Sequence, residues 1–182
     1  MLLVFDENSY MKKSFLFLLI AISSQTIFAQ KLPCSRPEYR QFDFWIGEWE
    51  AYGVNGQKAG DSKISLILDS CIILEEWTSA SISQGLRYAG KSFNTYNAAT
   101  KQWQQTWVDN AGGSNEYLTG KFEDNKIIYQ SSPFPFNKDT MAIRKMTFTN
   151  LSPVKLRQHG EISKNNGASW STEYDLEYRR KK

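Results

Sequence analysis

His159 is the only histidine, and Cys34 and Cys71 are the only cysteines, in a chain of 182 residues. That set cannot fill the three or four positions of a protein-held zinc site, and no ligand spacing for a metal occurs, so no metal is expected. The chain also lacks a glycine-rich phosphate cradle, a Gly-x-Ser-x-Gly elbow and an internal repeat. Those absences remove nucleotide-binding loops, nucleophile-elbow hydrolases and propellers from consideration. No segment after residue 42 sustains a 3.6-residue apolar period, so no amphipathic helix is expected there. Excess charge is missing as well. The formal net charge is +3, and Arg179, Arg180, Lys181 and Lys182 carry much of it. A basic end of that kind is ordinarily solvated and the remaining body is near neutral, so no nucleic-acid partner is expected.

What is present begins with a leader. Met11, Lys12 and Lys13 form a positive start, residues 14–27 are mostly apolar, and Ala29 offers a small residue before Gln30. This pattern predicts a signal peptide over residues 1–29, cut between Ala29 and Gln30. Asp6 and Glu7 suit a positive n-region poorly, which points to translation from Met11. The apolar run is too short for a stable membrane anchor. Cys34 follows Pro33, so it offers no lipidation site. The product is expected to be secreted or periplasmic, with residues 30–182 as one domain. An even cysteine count in an exported chain predicts a Cys34–Cys71 disulfide, pinning the N-terminal segment to the domain.

From Trp49 onward, two-residue alternation predicts strands near 48–53, 62–69, 71–80, 86–96, 102–109, 115–123, 126–131, 140–149, 154–163 and 169–179. Asn55-Gly56, Asp69-Ser70, Asp124-Asn125 and Asn165-Asn166-Gly167 supply turn chemistry between them. Residues 37–42 predict a short helical turn, and 131–139, with Pro133 and Pro135, the longest loop. The fold class is all-β: an antiparallel up-and-down barrel of about ten strands, closed so that no edge is exposed. An open two-sheet sandwich is the alternative.

Gly47-x-Trp49 at the start of the first strand resembles the opening of the calycins, the group of lipocalins and fatty-acid-binding proteins. That resemblance implies a calycin-like, lipocalin-like barrel with the Trp packed under a basic side chain from near the chain's end. Arg179 or Arg180 is placed for that role. The stretch 42–49, Cys71 to Trp77, Trp103 to Asp109 and Ser163 to Trp170 together resemble a secreted bacterial family, a domain with no established activity. Ser163 to Trp170 also resembles the Asp-box of sialidases, with Asn165 where Asp is usual. There the motif is a turn device: a polar cap, a Gly with unusual φ and a Trp beneath.

Alternation sorts side chains by face. Glu75 and Trp77 share one face, Trp103, Gln105, Trp107 and Asp109 another, and Arg144, Met146 and Phe148 a third. Arg157, His159, Glu161 and Ser163 share a fourth, and Tyr174, Leu176 and Tyr178 a fifth. Turned inward, these faces would line a cavity with aromatic walls and a few polar groups, the usual make-up of a small-molecule site. Glu75, Trp77, Gln105, Trp107, Arg144 and Arg157 are the candidate ligand-binding residues. The tryptophans would form walls, the arginines would hold an acidic group, and Glu75 with Gln105 would orient it. An enzyme on the same barrel, a hydrolase or isomerase using Glu75, Glu161 or His159 as acid or base, is the second reading. A structural or interaction module with a filled core is the third. A lone His can ligate haem, but Arg157 and Glu161 beside His159 make a polar setting for one, so no cofactor is expected. The partner expected is a small molecule, and the sequence sets no oligomeric state.

Overall fold

The structure, a computed structural model, describes residues 33–182. The leader, the start at Met11 and the cut between Ala29 and Gln30 lie outside the described residues. Polar and apolar residues alternate along each segment because successive side chains project to opposite faces of a pleated strand. Among the described residues twelve strands result: β1 (Gly47–Gly53), β2 (Lys58–Ile67), β3 (Ile72–Ser79), β4 (Ala89–Asn97), β5 (Gln102–Asp109), β6 (Ser114–Tyr117), β7 (Thr119–Glu123), β8 (Lys126–Gln130), β9 (Phe134–Asn137), β10 (Thr140–Ser152), β11 (Lys155–Ser163) and β12 (Ser171–Arg180). They pair antiparallel in the order β6-β5-β4-β3-β2-β1-β12-β11-β10-β8-β7, with β9 on β10. Pairing of the first strand with the last brings both halves into one sheet, with Trp49 opposite Arg180. The sheet's two ends, β6 and β7, are joined through Leu118, whose carbonyl accepts from Gln104 Nε2 at 3.3 Å. The result is a nearly closed antiparallel barrel.

Two strands differ from expectation. The segment 115–123 is divided at Leu118: β6 pairs with β5 and β7 with β8. The expected loop at 131–139 holds β9, where Pro135 is tolerated because this short strand pairs on one side only.

One end of the barrel is filled. Two 3₁₀ turns, Pro37–Arg40 and Asp43–Trp45, cap it. Phe42 and Trp45 pack inward onto Phe148, with ring centres 4.5–5.0 Å apart, and Trp103, Tyr129 and Leu156 complete the plug. Cys34 and Cys71 are bonded at this end, with Cα atoms 5.0 Å apart and a sequence separation of 37. Loop closure of that span contributes roughly 3–4 kcal/mol in the chain-entropy picture. Beside the bond, Leu68, Asp69 and Ser70 all take positive φ, and Arg40 Nη2 donates to the Ser70 carbonyl.

Gly47 and Trp49 meet Arg180. Its guanidinium stacks 4.3 Å from the indole centre, and its Nη1 donates to Ile46 O at 3.0 Å. A Cβ on Gly47, which has φ +134°, would fall 2.1 Å from that nitrogen. The glycine is therefore the seat of the arginine. Arg179 stacks on Tyr52 outside, 4.2 Å from its centre. Trp49→Ala is expected to lower stability by roughly 3–5 kcal/mol in urea melts. Gly47→Ala should lower it less, by unseating Arg180, and a neutral Gly47→Ala would refute that account.

Candidate functional site

The opposite end is open. Strands β3, β5, β6, β10, β11 and β12, with Tyr88 from the turn before β4, line a cavity of about 430 Å³. Five of the six candidate residues line it: Glu75, Trp77, Gln105, Trp107 and Arg144. Tyr88, Tyr117, Glu173, Tyr174 and Tyr178 join them. The two tryptophans lie flat on the barrel wall because a glycine stands beneath each. A Cβ on Gly60 would fall 2.5 Å from the Trp77 ring, and one on Gly90 2.2 Å from the Trp107 ring.

Arg157 lies elsewhere. The inward residues of β11 are Leu156, Gln158, Gly160 and Ile162, so Arg157, His159 and Glu161 face out. Arg157 holds Asp175 through two hydrogen bonds, Nε to Oδ1 at 2.7 Å and Nη2 to Oδ2 at 2.6 Å. Glu161 pairs with Lys145 at 2.8 Å, and His159 Nε2 lies 3.0 Å from Thr172 Oγ1. The expectation that Glu161 and Arg157 share an interior with Glu75 and Arg144 is thus corrected. Both faces of β11 carry polar residues, so alternation alone could not choose between them.

Glu75 is the buried charge of the cavity, 3 % exposed. Its Oε1 accepts from Ser62 Oγ and its Oε2 from Ser92 Oγ, both at 2.9 Å. Behind Ser92 stands a relay: Asn94 Nδ2 donates to Ser92 Oγ at 3.0 Å. Asn94 Oδ1 in turn accepts from Gln105 Nε2 at 2.9 Å and from Tyr129 OH at 3.1 Å. Burial pushes the Glu75 carboxyl up to about 7, against the lowering pull of the two hydroxyls. Arg144 is already engaged at the rim: Nε and Nη2 donate to Glu173 at 2.8 and 3.1 Å, and Nη1 to Asn115 Oδ1 at 3.2 Å. It also lies over the Phe134 ring at 4.6 Å. Trp107 Nε1 and Tyr88 OH both donate to Asp109 Oδ2, at 3.2 and 2.9 Å. Asp109 Oδ1 accepts the Gly113 and Ala111 amides, fixing the turn beside it.

Ser163 Oγ, Asn165, Gly167 and Ser169 bond to one another within the β11–β12 turn. Gly167 has φ +87°, and Trp170 lies under the Lys145 ammonium at 4.3 Å. The Asp-box-like stretch is a turn device here. Ser62, Ser92 and Asn94 were not among the candidates. Their signal is small polar residues at inward positions, Ser62 in step with Ile64 on β2 and Ser92 and Asn94 in step with Tyr96 on β4.

Among the described residues, no group of three or more His, Cys, Asp or Glu is placed to hold a metal ion. The chain matches no protein-family model and no curated protein.

The raised Glu75 carboxyl carries a stability consequence. Between its ordinary 4.5 and about 7, the folded state keeps a proton that the unfolded chain releases. Stability from this group is therefore full below that window and falls as pH rises through it, by about 3 kcal/mol. Glu75→Gln is expected to remove the slope. Urea melts at pH 5 and pH 8 check this: the variant should gain on the wild type at pH 8, and equal differences at both pH values would refute it.

Proposed function

We propose that the protein is an exported, calycin-like barrel that binds a small, partly apolar molecule in the open half of its interior. The observation that carries this reading is the cavity of about 430 Å³, with aromatic walls and a hydrogen-bonded carboxyl at its base. Its volume lies in the range of ligand sites, and apolar walls with a few placed polar groups are their general composition. Trp77 and Trp107 serve as walls, and Glu75 and Gln105 orient the ligand. Arg144, balanced by Glu173, shapes the rim rather than capturing an acid. The calycin assignment is supported by the Gly47-x-Trp49 resemblance together with Arg180 on Trp49. Export is supported by the leader reading, and the Cys34–Cys71 bond is consistent with an oxidising compartment.

A second reading, acid–base catalysis in the same cavity, draws support from a carboxyl raised to about 7 there. The filled-core reading has less support, because a cavity of about 430 Å³ remains beside the packed aromatics.

Native mass spectrometry of the exported protein, purified from its own compartment, is the test. A co-purifying small molecule, released by denaturation and lost in Trp107→Ala, is expected. An empty wild-type protein would count against the binding reading, and turnover of the bound molecule would favour the enzyme.

A further inference from the structure

We infer that the cavity takes an organic cation, a small molecule whose protonated amine pairs with Glu75 and whose apolar body lies against the Trp77 and Trp107 faces. This rests on the binding reading above and specifies its ligand class.

The first argument is charge. A buried carboxylate needs a positive partner or must stay protonated, and Glu75 has none. The guanidinium lining the cavity, Arg144, is held by Glu173 and Asn115. The other groups facing the cavity offer no cation. Ser62 of β2 and Ser92 of β4 hold the carboxyl from behind, and β5, β6, β10, β11 and β12 add only uncharged groups besides Arg144 and Glu173. Burial pushes the phenols of Tyr88, Tyr117, Tyr174 and Tyr178 up, so they stay neutral. In the cavity lining Glu75 and Glu173 thus stand against Arg144 alone, while at the rim Asp109 is matched by Arg87, which donates to the Ser79 and Ala80 carbonyls.

The second argument is the polarity of the hydrogen bonds. Gln105 donates to Asn94, Asn94 to Ser92, and Ser92 to Glu75, while Ser62 donates to the other oxygen. Every dipole in that chain points its positive end toward the carboxyl, the arrangement that stabilises an anion. Gln105 Nε2 is committed to Asn94, which leaves its Oε1 as an acceptor for a second ammonium hydrogen. The third argument is the walls. Six rings, Trp77, Tyr88, Trp107, Tyr117, Tyr174 and Tyr178, line the same space, and aromatic faces attract cations.

Binding in the pH range where Glu75 is protonated is a balanced exchange. The ammonium keeps its three hydrogens, the carboxyl O–H breaks, and one proton leaves to solvent.

Three probes with one ring body and three charges test the idea: tryptamine, tryptophol and indole-3-propionate, titrated by calorimetry at pH 5.5, 6 and 8. Tryptamine should bind tightest, and its affinity should rise about tenfold or more from pH 5.5 to 8 as Glu75 ionises. At pH 6, two buffers of different ionisation enthalpy should report close to one proton released per tryptamine. Tryptophol should show neither effect. Glu75→Gln should lose the amine preference and the pH dependence while still binding tryptophol. If that variant does not fold, the wild-type pH profile and proton count decide alone. Tryptophol or indole-3-propionate binding as tightly as tryptamine at pH 8 would overturn the cation assignment and leave the binding reading standing. Failure of all three to bind would overturn both.

Discussion

Arg180 reaches back over the first strand, lays its guanidinium on Trp49, and donates to Ile46 O and to Pro153 O. That one side chain ties the start of β1, the end of β12 and the β10–β11 turn. The barrel depends on it because closure here is a pairing of first and last strands, the contact with the greatest sequence separation and the highest loop-closure cost. The 3₁₀ turns before β1 are placed by this register: Phe42 and Trp45 fill the end, and the disulfide fastens the segment in front of them.

Filling one end has a direct effect on the other. Large aromatics take up the interior near Trp49, and the plug ends short of β3's last residues. The remaining half is wide, and its rings are pressed to the wall by glycines on the neighbouring strand. The cavity is therefore a region where side chains lie flat. Its floor is the step from plug to void, and Glu75 stands on that step.

The strands and turns could be read directly from the chain, because alternation and Asn/Asp-Gly chemistry are local properties. Trp49 under a terminal arginine and the Cys34–Cys71 pairing were also legible. β9 was hidden because Pro133 and Pro135 read as breakers, whereas an edge position needs no second set of amides. Glu75, Trp77, Gln105, Trp107 and Arg144 were legible as a set since each stands in step with a clearly apolar residue. Arg157 was not: on β11 the inward set includes Gln158 and Gly160, and Gly160 faces in because Tyr174 occupies its place, with a Cβ there only 2.3 Å from the ring. Such a fit is decided across strands, and no single strand records it. The serine–asparagine relay shares that character, for its members come from three strands and acquire meaning only when paired.

That relay also joins the two halves of the molecule. Asn94 accepts from Tyr129, a ring packed within the plug, and supports Ser92, which holds Glu75. A proton or a ligand at the floor thus pulls on the same hydrogen bonds that orient a core aromatic. On the binding reading proposed above, a molecule held at the floor would therefore also bear on the order of the sealed end, through Asn94 and Tyr129.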